Sequence, residues 1–62
     1  MSPEEERWAE ALAIQRLHGD VAPVWVAERI GALALAGDQA GFERFRAIAR
    51  RLDKLIRPGA PQ

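Results

Sequence analysis

Few residues in this chain could carry chemistry: one histidine, His18, one serine, Ser2, and three adjacent acids, Glu4, Glu5 and Glu6. Nucleophilic catalysis needs an activated hydroxyl, thiol or amine beside an oriented base. Cys, Thr, Tyr and Asn are absent, Ser2 stands where a helix cap belongs, and His18 has no recognisable orienting partner. Consecutive acids point around a helix rather than toward one ion, so Glu4 to Glu6 read as solvated first-turn acids and not as metal ligands. His18, near a helix C-terminus, reads as an end cap or dipole partner. The expectation is a chain that is not an enzyme, with no cofactor and no metal.

Six bases close the chain's last helical pattern: Arg44, Arg46, Arg50, Arg51, Lys54 and Arg57. Phosphates favour such a surface, and Arg46, Arg50, Lys54 and Arg57 form a candidate nucleic-acid surface. Glu43 and Asp53 interrupt it at spacings that let them pair with Arg46 and Arg57. The exposed positions also lack the Asn, Ser and Thr that read base edges, with Gln39 the only amide. Weak nucleic-acid binding is therefore the alternative function, and a nucleic-acid partner is not expected.

Three helices must position these residues. Ser2-Pro3-Glu4-Glu5 is a capping box with proline at the first helical position, opening a helix near 3–17. His18-Gly19-Asp20 ends it, with Asp20 placed to cap a second helix near 21–36, in which Pro23 lies in the first turn. Gly37-Asp38 repeats the punctuation before a third helix near 39–56, whose apolar residues recur at spacings of three and four. Short connections make the helices antiparallel neighbours. The fold class is all-α, a compact three-helix domain over 1–57, with 58–62 a disordered tail. The segment Glu28 to Asp38 contains the longest uncharged run, Ile30 to Gly37, and is expected to be what the rest folds against. Trp8, Leu12, Val26, Ile30, Leu33, Phe42, Phe45, Ala49 and Leu52 make the expected core. Gly31, inside the second helix, costs about 1 kcal/mol relative to Ala, a cost best rationalised by a backbone approaching closely there.

The charges divide by position. Residues 1–28 carry six acids and two bases, the remainder three acids and seven bases, so −4 faces +4 and the formal net charge is zero. An acidic first helix beside a basic third accounts for this asymmetry. The start is acidic and unlike a signal peptide, and the eight-residue uncharged run is far short of the roughly 20 residues that cross a bilayer. A small cytoplasmic chain without membrane contact is expected. Trp25 lies well over 90° from Ile30 on the helix wheel, so Val21, Trp25, Ala32 and Leu35 form a second apolar stripe and the candidate interaction surface, for an unknown protein partner or a homodimer. A protein-protein interaction or regulatory module is the favoured function. Trp8, His18-Gly19-Asp20, Ala22-Pro23, Glu28-Arg29-Ile30-Gly31 and Ala36-Gly37-Asp38 resemble a domain-of-unknown-function family of small uncharacterised alphaproteobacterial proteins. The resemblance covers most of the chain, implies a self-contained bacterial protein, and carries over no functional residue.

Overall fold

The computed structural model describes residues 1–57; the tail expected over 58–62 lies outside the described residues. Apart from Met1, Ser2, Gly37, Asp38 and Arg57, every described residue is helical, and no strand occurs among them. The elements are α1 (Pro3–His18), a single 3-10 turn (Gly19–Val21), α2 (Ala22–Ala36) and α3 (Gln39–Ile56). The three-helix, all-α architecture read from periodicity is the one observed.

Each junction has a local cause. The Ser2 hydroxyl accepts the Glu5 amide at 3.1 Å while the Glu5 carboxylate accepts the Ser2 amide at 2.9 Å, a reciprocal box that satisfies two free donors at the start of α1. Those bonds hold the Glu5 carboxyl below its ordinary value of 4.5, with the Ser2 backbone bond the largest cause and the bond to the Ser2 side chain next. Gly37 ends α2 in the left-handed region at φ 73°, which a residue without Cβ adopts freely. Its amide and that of Asp38 close onto Ala34 and Leu33 carbonyls in a Schellman-type cap. Asp38 then caps α3 by accepting the Gly41 amide at 2.9 Å. Asp20 does not repeat this: the residue capping α2 is Val21, with no side-chain bond. The 3-10 turn occupies the place where an aspartate cap would act, and Pro23 in the first turn supplies the fixed φ.

The core is small and centred on α3. Ala11, Ala22, Val26, Ile48 and Leu52 are buried, with Ile14, Trp25, Ile30, Phe45, Ala49 and Leu55 packed around them. Both α1 and α2 make most of their contacts with α3 and touch each other only sparsely. Hence α3, and not the segment Glu28 to Asp38, is the element the others fold against: its strict apolar stripe offers two flanks for two helices. Four expected core residues lie elsewhere, Phe42 among them, half-buried beneath the Arg46 guanidinium. Leu12 is 36% exposed. Trp8 is half-buried beneath the Arg51 guanidinium, 5.7 Å from its ring centre. Leu33 packs instead at the start of α3, within reach of Gly41. Ile48, Ala11 and Ala22 take the central places; where a methyl group alone fills the space, neighbouring backbones are close.

The expected neighbour of acidic and basic helices is present. Glu10 receives Arg7 of its own helix at 2.6 Å and Arg44 of α3, whose Nε lies 3.0 Å from it. Arg51 reaches toward Glu4 at 3.8 Å and donates to the Ala47 carbonyl at 3.0 Å. The bond that Arg44 donates to Glu10 is the main cause that raises the Arg44 pKa above its ordinary value. Solvated pairs of this kind contribute little each, about 0–1 kcal/mol.

Two helical glycines separate in meaning. Around Gly31 nothing from the described residues beyond its own helical turns lies within 4 Å of where a Cβ would stand, so no other described helix approaches it. At Gly41 a Cβ would stand 2.7 Å from the Asp38 carboxylate and 2.9 Å from a Leu33 methyl. Gly31→Ala is therefore expected to raise stability by about 1 kcal/mol. Gly41→Ala should lose that gain, because displacing Asp38 from its cap costs about as much. Thermal melts of the two variants at low concentration check the contrast; equal gains would remove the cap contact from the account.

Candidate interaction surface

The stripe Val21, Trp25, Ala32 and Leu35 is divided by the fold. Trp25 is half-buried: His18 stacks on its indole at 4.3 Å between ring centres and 20° between planes, and Phe45 meets it at 6.2 Å. The Arg29 guanidinium lies over both Trp25 and Phe45, at 5.8 and 5.9 Å. The end of α1 and the middle of α3 thus wrap around to meet the indole. His18 makes no side-chain capping bond; its ring joins α1 to α2 by stacking, a role that its place at a helix end did not reveal. Val21 and Ala32 remain exposed, and Leu35 is 92% exposed.

Beside that stripe lies a broader apolar face. Turning around α2 from Ile30, the residues met are Pro23, Ala34, Ala27, Gly31, Val24 and Leu35, an arc of roughly 140° without one charge. All of these except Ile30 are exposed, Val24 at 60%. The hydrophobicity of α2 was legible as two stripes; that its broad arc faces outward follows only once α3 is seen to take the side bearing Ala22, Val26 and Leu33. Where this face meets α3, a groove of about 290 Å³ opens, floored by Val26 and Leu52, walled by Pro23, Ala27 and Ile30 against Ala49 and Ile56, and edged by Asp53 and Arg57.

The basic positions of α3 are partly engaged inside the fold. Arg57 donates to Asp53, its Nε at 2.9 Å, as the spacing predicts. Arg46 does not pair with Glu43; its guanidinium lies 5.7 Å over the Phe42 ring, while Glu43 accepts Gln39 at 3.4 Å. Arg50 and Lys54 are exposed with no ion pair among the described residues. Arg44 and Arg51 face the acids of α1. All four candidates are exposed on one side of α3; Arg46 and Arg57 are engaged with neighbouring side chains of their own helix. Among the described residues no group of three or more His, Cys, Asp or Glu is placed to hold a metal ion, and no described helix is long and apolar enough to cross a membrane.

The family model whose description is a family of unknown function, DUF6961, matches residues 3–59, which span all three helices and both glycine-aspartate junctions. The chain belongs to DUF6961. Membership agrees with the expected resemblance to a domain-of-unknown-function family. For this DUF6961 protein, no curated protein and no solved structure gives a match.

Proposed function

We propose that this protein is a protein-interaction or regulatory module whose working surface is the outer face of α2. It acts by binding and performs no reaction of its own; the setting is the cytoplasm of a bacterium, in line with the alphaproteobacterial proteins it resembles. The observation that carries the reading is Leu35, a large aliphatic side chain 92% exposed at one end of an uncharged helix face that also exposes Val24. Single exposed aliphatics are ordinary, whereas a contiguous apolar face beside a groove is characteristic of binding surfaces. Of the stripe read from the sequence, Leu35 belongs to this face; Val21 and Ala32 lie beyond Glu28, and Trp25 packs against His18 and Phe45.

A photo-crosslinking residue in place of Leu35, in the native host, tests this reading. The expected result is a protein adduct that disappears when the crosslinker stands instead at Ala13, an exposed position on α1. If position 35 gives no adduct and position 13 behaves the same, the outer face of α2 is not a binding surface.

A further inference from the structure

We infer that the occupant of the α2 face is a second copy of this chain, docked antiparallel across a two-fold axis at Gly31; this rests on the interaction reading above and names its partner. A two-fold interface requires one patch to carry both a projection and its matching recess, at positions that exchange under rotation. The projection is Leu35 and the recess is the groove beside Ala27 and Ile30. Ala27 and Leu35 each lie four residues from Gly31, on opposite sides. They are thus separated by about 12 Å along the helix, with Gly31 midway. Reversing one copy about Gly31 sets Leu35 of each over Ala27 of the other, beside a groove of about 290 Å³ that has room for a branched aliphatic side chain.

At the crossing point itself the chain has removed its own obstacle. Gly31 carries no Cβ, and among the described residues nothing beyond its own helical turns lies within 4 Å of that place, so two α2 backbones can approach there. The cost that a helix-interior glycine imposes finds no compensation inside one copy and finds it between two. Electrostatics allow the pairing: the arc buries no charge, and a formal net charge of zero leaves two copies without the mutual repulsion that keeps highly charged proteins apart. The area sets the strength. Two faces of about three turns fall near or below the 1,200 Å² at which specific interfaces begin, so the dimer is expected to dissociate at roughly 10 to 1,000 µM.

Sedimentation equilibrium of the intact chain up to about 1 mM decides it, with two variants whose folds are checked by circular dichroism. The wild type is expected to shift from monomer to dimer over that range. Leu35→Arg, at an exposed position, should stay folded and weaken association by about tenfold or more. Gly31→Leu separates a close crossing from mere stickiness: it adds apolar surface where the chain leaves open space, so unspecific association would tighten, whereas the inferred crossing must weaken. A wild type that stays monomeric at 1 mM, a dimer untouched by Leu35→Arg, or a tighter one with Gly31→Leu each overturns the inference. Should the protein be monomeric while a crosslinker at position 35 still captures a different protein, the second copy is wrong and the interaction reading stands. Absence of both removes the two together.

Discussion

Leu52→Ala is expected to lose about 2–5 kcal/mol of stability, the cost of removing a buried leucine side chain and leaving its space behind. Leu52 is 2% exposed and lies in α3 between the two helices that pack on it. Relaxation around it is restricted, since its buried neighbours Val26 and Ile48 belong to different helices and cannot both move in. A domain of this size buries only about 60% of the surface of its unfolded chain and has a total stability of a few kcal/mol. Urea titration followed by far-ultraviolet circular dichroism should find the variant largely unfolded at 37 °C. Ile56→Ala, an exposed position one turn later on the same helix, should lose far less. A Leu52→Ala midpoint within experimental error of the wild type would displace Leu52 from the centre and with it the assignment of α3 as the hub.

The helices themselves were legible because their signals are local. Ser2-Pro3-Glu4-Glu5 and Gly37-Asp38 carry their own hydrogen-bonding logic, and the structure uses both as written. Asp20 misled because here the glycine-aspartate pair is itself part of a 3-10 turn, so the capping residue is displaced by one, to Val21. Which residues are central was less legible, since periodicity gives each helix a face without saying which helix lies between the others. The long uncharged run in α2 suggested the centre. The stricter pattern of α3, charged all around one apolar stripe, was the better signal, because a helix with charges on its outer surface can bury only that stripe. Part of α2's apolar surface is then left facing outward. That surplus is the candidate site, and of its residues the thinner row through Trp25 held only Leu35.

Trp25→Ala should lower stability by roughly 2–3 kcal/mol, more than half of what a fully buried tryptophan costs, and should leave any association through α2 nearly intact. The indole is half-buried, so the burial contribution is reduced, but it also holds three partners in place. His18 stacks on it, Phe45 meets it with the ring planes tilted by 52° and Arg29 lies over it. Aromatic pairs contribute about 0.5–1.5 kcal/mol beyond their area, and cation-aromatic contacts at partly exposed sites about 0.5–1 kcal/mol. Since His18 ends α1 and Phe45 belongs to α3, truncating Trp25 loosens the junction at which all three helices meet. Thermal melts of Trp25→Ala and Leu35→Arg, each paired with sedimentation, should give opposite patterns: a lower melting temperature with little change in association for the first, weakened association with little change in melting for the second. If Trp25→Ala instead melts like the wild type and dissociates the protein, the indole belongs to the working face, and the surface centred on Trp25, as the sequence suggests, replaces the one centred on Gly31.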